Sequence, residues 1–378
     1  MNKYLKVVLI LCVMGIGATL LFRSVSNNNE NIKIGGISAL SGVGASVGED
    51  ERKGAVLAVE EVNKRGGING RTIELISEDL SIDKINKAVS VAEKLINIDK
   101  VVAIVGAQWD ETTFPILPIA EKAEVSMVGA DNSDQLEKDK DYPYFFSTWY
   151  DNRVGVREIL RYSGTHNIKR ISIIKFLAAG FWEFTARTMT DEASKYDVEV
   201  VNESDLGNPT ALDFRTELLK VNQYNPDAIF IVTNDFNQCS FLKQKAELGI
   251  NTIALGTESS ADGTSITNCP DLMEDRVWSA PKGGNKYYEF ESRFTARFGQ
   301  KPNSPSAATA YDAVMVIASA LQKTNGRGGE ELQNAIQATN IDGVSVDKIV
   351  FNQKGFLVTP EDTFSMKGFK DGEAVDLK

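Results

Sequence analysis

Residues 32–78 read IKIGGISALSGVGASVGEDERKGAVLAVEEVNKRGGINGRTIELISE. A short apolar run, Ile32, Ile34 and Ile37, stops at a loop of glycine and serine over residues 38–48. Ala55, Val56, Ala58, Val59 and Val62 then recur at helical spacing. Gly66 and Gly67 close that helix, as glycine does at a helix C-terminus. A second strand is predicted over residues 72–78. The result is one βαβ unit whose loop opens at the carboxyl end of its first strand, where open α/β sheets bind ligands.

Outward from this unit the alternation continues. A helix is predicted over 88–98, a buried β-branched strand over 101–105, a helix over 115–124 and a short strand over 125–128. Residues 131–144 read as a solvated loop rich in Lys and Asp. A second series begins near Phe145, with helices over 153–163, 181–196, 213–221 and 238–248 and strands over 170–175, 198–201, 226–232 and 253–256. Two such series imply two parallel sheets covered by helices on both faces. The tail returns to helices. Residues 286–298 carry Tyr287, Phe290, Phe294 and Phe298 at spacings of three and four, an aromatic stripe expected in the core, and residues 306–322 are apolar on most faces. Late strands are expected over 349–351 and 364–369, joined by a turn at 352–355, with Gly368 and Gly372 punctuating a last hairpin.

Composition bounds the function. The 378 residues suffice for two domains with full cores. A net charge of −11 argues against nucleic acid as a partner, because phosphate binding needs a basic patch. His166 is the single histidine. No nucleophile, base and orienting group occur as a set, and no metal-ligand spacing is present, so neither enzyme, cofactor nor metal is expected. Gly42, Gly44 and Gly48 fit a dinucleotide fingerprint poorly, and Glu49, Asp50 and Glu51, read as crowding the next helix start, would repel a pyrophosphate.

The N-terminus reads as an export segment. Lys3 and Lys6 precede an uninterrupted apolar stretch over 7–22, and Ser24-Val25-Ser26 offers small residues for cleavage. Residues 1–26 are thus a signal peptide or an uncleaved anchor, followed by a polar linker over 27–30. Leu11 stands before Cys12 where a lipoprotein signal needs a small residue. Cys239 and Cys269 remain in the mature chain, either bridged or as two thiols.

The wording A-L-S-G, K-G-A-V-L-A-V-E-E-V-N and G-G-I-N-G-R resembles the solute-binding proteins of branched-chain amino-acid transporters, the leucine/isoleucine/valine-binding family. The resemblance extends through V-A-I-V-G, P-I-A-E-K-A-E-V, F-L-K-Q-K-A-E-L-G-I, A-T-A-Y-D-A-V and K-D-G-E-A-V, and so covers most of residues 32–375. It implies an α/β type I periplasmic-binding fold, two Rossmann-like lobes joined by a three-strand hinge. Lobe one would hold 31–147 and 281–350, and lobe two 148–280 and 351–378, with crossings near Ser147, Ala280 and Val350. A small polar ligand, an amino acid or a relative, would lie between them and be trapped by hinge closure. The partner would be an ABC permease and the protein an extracytoplasmic monomer. The rival is an anchored sensor of the same fold that signals through a partner.

Site residues follow from the same resemblance. The loop over 38–48 would offer backbone N–H groups and Ser41. The family places a serine hydroxyl for the ligand carboxylate where this chain has Asp110, so Asp110 either meets a cationic or hydroxyl-rich ligand end or caps a helix beginning near Pro115. Trp109 and Thr112 share that loop, Trp109 as a paving ring and Thr112 as a contact or a cap. Ala130 and Asn132 follow the next strand, Phe181 and Trp182 stand near a family tyrosine that covers the ligand, and Asn234 and Asp235 end a strand. Glu258 aligns with the family glutamate that pairs with the ligand ammonium.

Overall fold

The computed structural model describes residues 30–42, 44–132, 136, 142–176, 180–207, 212–233, 235–258 and 268–377. The export segment, Asn234 and most of the polar loop after Asn132 lie outside them.

In chain order the elements are β1 (Ile32–Ser38), α1 (Ala45–Lys64), β2 (Ile73–Asp79), a 3₁₀ turn (Ile82–Lys87), α2 (Ala88–Glu93), β3 (Ala103–Val105), α3 (Asp110–Thr113), α4 (Leu117–Lys122), β4 (Ser126–Gly129) and β5 (Phe145–Ser147). There follow α5 (Asn152–Thr165), β6 (Arg170–Phe176), α6 (Phe181–Glu192), β7 (Glu199–Leu206), α7 (Arg215–Asn222), β8 (Ala228–Val232), α8 (Asp235–Glu247), β9 (Ile253–Gly256) and β10 (Arg276–Pro281). The tail is α9 (Tyr287–Phe298), α10 (Ser306–Lys323), α11 (Glu330–Gln337), β11 (Asn340–Asp342), β12 (Lys348–Val350), β13 (Phe364–Lys370) and β14 (Glu373–Asp376).

Two sheets result. The first, in the order β2-β1-β3-β4-β5, is parallel throughout. The second runs β14-β13-β10-β9-β8-β6-β7, parallel from β10 to β7, with β13 antiparallel to β10 and β14 antiparallel to β13 at one edge. Both faces of the first sheet are covered. One face packs on α1 and the tail helices, with Ile34, Val105, Val128, Val314 and Ile317 buried together. The other packs Ile37, Ile104 and Met127 against Leu95, Ile116 and Leu117. The second sheet has its own core around Ile173, Phe230, Phe241 and Trp278. Along α5 the core changes, with Val154 in the first and Val156 in the second. Near the end Phe351, Leu357 and Phe364 still belong to the first core, while Met366 belongs to the second. The aromatic stripe of α9 is core as expected, Phe290 and Phe294 being fully buried.

Several local expectations are corrected. Helix α1 begins at Ala45, one turn before the acidic run, so Glu49, Asp50 and Glu51 lie beyond the first turn and do not serve its dipole. Asp50 instead accepts from the amides of Asn303 (2.6 Å) and Ser304 (2.9 Å), and Glu49 pairs with Arg52 at 2.7 Å. Strand β12 pairs with β11 and not with the strand over 364–369, whose partners are β10 and β14. Gly368 sits inside β13 opposite Val375, and only Gly372 belongs to the turn. Strand β10, RVWSAP, had no legible alternation because it is buried on both faces over its first four residues. Cys239 and Cys269 form a disulfide, with Cα atoms 5.7 Å apart, tying α8 to the segment before β10.

Candidate functional site

The carboxyl ends of β1, β3 and β4 feed the loops on which the first half of the site stands. Strand β3 turns at Gly106, which has φ 95°, and a Cβ there would come 2.0 Å from the Ile37 carbonyl oxygen. Only glycine permits that close approach of backbone to backbone. The chain then extends through Trp109 (φ −115°) and enters α3 at Asp110. The Trp109 carbonyl accepts from the amides of Thr112 (2.9 Å) and Thr113 (2.8 Å) and from the Thr112 hydroxyl (2.9 Å). The hydroxyl of Thr112 is thus engaged within its own turn. The Trp109 ring lies against Gly44, where an added Cβ would meet it at 2.3 Å, so the indole closes over the loop after β1.

Asp110 occupies the first position of α3, and so does not cap a helix near Pro115. A Cβ added to Gly180 would stand 1.7 Å from Asp110 Oδ2, which places this carboxyl against the turn that opens α6 in the second half. Its other oxygen, Oδ1, is buried and has no hydrogen-bond partner among the described residues. Asp131, just past β4, is 4% exposed, and its Oδ2 is likewise buried and unpartnered there. The two carboxyls lie within hydrogen-bonding reach of each other. Burial first, and then the charge of Asp110, pushes the Asp131 carboxyl well above the usual carboxylate range.

Asn132 is buried and donates through Nδ2 to the Tyr150 carbonyl oxygen at 2.6 Å. Tyr150 in turn donates from its hydroxyl to the Ser345 carbonyl oxygen at 3.4 Å. Ala130 donates its amide to Ala107 O at 3.1 Å and lines a small crevice with Ser38, Glu51, Ser77 and Thr148. Glu51 is buried there, and its carboxyl is pushed up to about 8, chiefly by desolvation.

In the second half Glu258 follows β9. It is 5% exposed, with neither carboxyl oxygen hydrogen-bonded among the described residues, and burial raises it to about 7. Phe181 is the first residue of α6 and Asp235 the first of α8. Trp182 is committed to the second core, edge-on to Phe176 with ring centroids 5.9 Å apart. Ser41 is exposed, and its hydroxyl bonds Asp79 beside Lys84, which holds Asp79 at 2.7 Å. The structure therefore gathers Trp109, Asp110, Thr112, Ala130 and Asn132 at one sheet edge, and sets Ser41 outside that group.

Sequence reading passed over Asp131 and Glu51. Asp131 lies between Ala130 and Asn132 at the head of an Asp-rich run of sequence, and only its burial in the fold marks it. The signal for Glu51 was its i+3, i+4 relation to Gly54 and Ala55 on the buried face of α1.

The sequence profile of the periplasmic binding protein family matches residues 31–372. A leucine-, isoleucine-, valine-, threonine- and alanine-binding protein of Pseudomonas aeruginosa is 25% identical over 344 residues, covering 89% of this chain and 90% of its own. The Leu/Ile/Val-binding protein of Escherichia coli is 24% identical over 347 residues, covering 91% and 90%. Among solved structures, a branched-chain amino acid transporter substrate-binding protein of Streptococcus pneumoniae in complex with isoleucine superposes with a TM-score of 0.80 at 24% identity, covering 92% of this chain and 100% of its own. A solute-binding protein of R. palustris in complex with benzoate also reaches 0.80, at 18% identity over 92% and 96%. The fold is the type I periplasmic-binding fold, and the chain belongs to the periplasmic binding protein family.

Proposed function

We propose that this protein is an extracytoplasmic solute-binding protein that delivers a small polar ligand, an amino acid or a related compound, to an ABC permease. The family match across residues 31–372 carries the reading. Relatives named for branched-chain amino acids, and a structural neighbour holding benzoate, support a small organic ligand. The disulfide between Cys239 and Cys269 supports an oxidising compartment. The ligand lies between a lobe of residues 31–147 with 281–350 and a lobe of 148–280 with 351–378, and hinge closure traps it. In this reading Trp109, Asp110, Ala130 and Asn132 face it from the first lobe and Glu258 from the second. The protein works as a monomer, without nucleic acid or a catalytic step.

A thermal-shift screen against amino acids, amines, amides and aromatic acids tests this, because ligand that binds only the folded state raises stability by mass action. Small-angle scattering at saturation should then show a smaller radius of gyration. A confirmed ligand that leaves the radius unchanged would end the hinge-closure reading. N-terminal sequencing of the secreted protein reports cleavage after Ser26, and an intact N-terminus would favour the anchored sensor.

A further inference from the structure

We infer that the Asp110–Asp131 carboxyl pair receives a cationic nitrogen of the ligand, an ammonium, amidinium or guanidinium, with Glu258 available to a second one, so that the ligand class is a small dication and not a free amino acid. The inference rests on the solute-binding reading and deepens it.

Three observations converge. Asp131 and Glu258 are each more than nine-tenths buried, and each keeps a carboxyl oxygen without a hydrogen-bond partner among the described residues. Asp131 and Glu258 stand just past the carboxyl ends of parallel strands, β4 and β9, where open α/β sheets bind ligands. Asp110 reaches the α6 turn at Gly180, so the pair sits where the two halves of the molecule meet. Buried carboxylates are costly unless paired, and a ligand cation is the partner this arrangement lacks. A ligand carboxylate seated on the same loop would add a further acidic group to two carboxyls already in contact.

Burial and the neighbouring Asp110 charge favour the protonated form of the Asp131 carboxyl, since like charges at contact do not both ionise readily. A cation replaces that proton, which leaves to solvent. The charged neighbours are Glu111 on the same turn and Asp83, Lys84 and Lys87 on the 3₁₀ turn packed against α3. Lys84 is engaged with Asp79 at 2.7 Å. In the second half α6 carries Glu183, paired with Lys175.

Titration calorimetry with agmatine, putrescine, leucine and benzoate is the test. Agmatine or putrescine should bind, more tightly at pH 7.5 than at pH 5, and the heat should differ between phosphate and Tris in proportion to the proton released. Asp131→Asn should weaken that binding about ten- to a hundredfold, the loss of one charge-assisted hydrogen bond. Asp110→Ser should weaken it similarly and admit leucine. Circular dichroism of each variant separates lost binding from lost folding, and the buffer dependence of the wild-type heat needs no variant. Tight binding of leucine or benzoate with no binding of either amine would overturn the inference and leave the solute-binding role intact. Silence from all four would also overturn it, and the wider screen would then decide the role.

Discussion

Two groups of carboxylates in this molecule behave oppositely. At the rim, Asp79 and Asp342 face water and lysines. Burial works against the Asp79 charge, but hydrogen bonds from Lys84, Ser41 and the Leu40 amide hold it at about 2. Asp342, bound by Lys286 and Lys348, also falls to about 2. In the interior Glu51 and Glu258 rise to about 8 and about 7, chiefly by desolvation. The rim residues are satisfied by the protein's own cations. The buried ones have no such cation: Glu51 has the Ser38 side chain, and neither Glu258 carboxyl oxygen has a side-chain partner among the described residues, and perturbed carboxyls of this kind cluster at functional sites. Structural burial with a hydrogen bond looks different. Asp312 is also fully buried, and burial raises it to about 6, but it accepts from Val344 (3.0 Å), Ser345 (2.8 Å) and the Ser345 hydroxyl (2.5 Å), which pull it back down.

The largest expected effect is on pH dependence. A carboxyl whose folded pKa is raised binds protons more tightly in the native state, so stability is greatest below the unfolded value and falls as pH rises through the folded one. For Glu258 and Glu51 that window runs from 4.5 to about 7 and about 8. The ligand-free protein should lose several kcal/mol across it, at about 1.4 kcal/mol for each tenfold change in proton affinity. Urea titrations at pH 5 and pH 8 measure the slope. A stability that is flat or rises over this range would erase the contrast between interior and rim.

Next in size is the staple of the second half. The bridge closes a loop with a sequence separation of 30 residues, and its reduction should cost about 3.6 kcal/mol. The first half carries no such bridge among its described residues, so hydrogen exchange after reduction should quicken in β8, α8 and β9 before β1 or β3. Equal acceleration in both sheets would mean that the halves unfold as one unit.

Glu258→Gln should act in two directions. Removing an uncompensated buried charge should stabilise the ligand-free protein at pH 8 by about 1–3 kcal/mol. It should also weaken a cationic ligand about ten- to a hundredfold. Melting curves and calorimetry on the same preparation check both. A destabilised variant with unchanged affinity would make Glu258 a structural residue.

How much of this was legible in sequence depends on whether the signal is local. The first βαβ unit was, since Ile32, Ile34 and Ile37 against Ala55, Ala58 and Val62 state two periods within 31 residues of chain, and all six are buried. Strand β10 was not. Its burial is set by partners far along the chain, and RVWSAP carries no period of its own. Helix α11 was also missed, although Leu332 and Ile336 at i, i+4 are a local signal against the preceding α10. At the site, Asp110 stood out because the resemblance put a serine there. Asp131 did not, because a carboxylate in a run of polar residues looks solvated until the fold buries it. Trp182 shows the converse. The resemblance set it near a family tyrosine that covers the ligand, and the α6 helix turns it into the core against Phe176.

The smallest effect is the control that gives the comparison its meaning. Asp79→Asn removes a rim carboxylate that Lys84, Ser41 and the Leu40 amide all contact, the last at 2.8 Å. With Asp79 and Lys84 both partly exposed, the ion pair is worth less than about 1 kcal/mol. Asparagine keeps an acceptor for the Leu40 amide, so most of the loop's anchoring survives. The sign of its pH dependence should be the reverse of Glu258. Asp79 has a lowered folded value, so what it contributes is present above 3.8 and lost as pH falls toward about 2. Between pH 5 and pH 8 the variant should therefore run parallel to wild type, offset by a small constant, in urea titrations. Ligand affinity should be unchanged, because Ser41 and Asp79 stand outside the group formed by Asp110, Asp131 and Asn132. A variant that altered the slope in that interval, or that weakened ligand as much as Glu258→Gln does, would show that the rim and the interior form one electrostatic unit. The buried carboxyls could then no longer be read as a site apart.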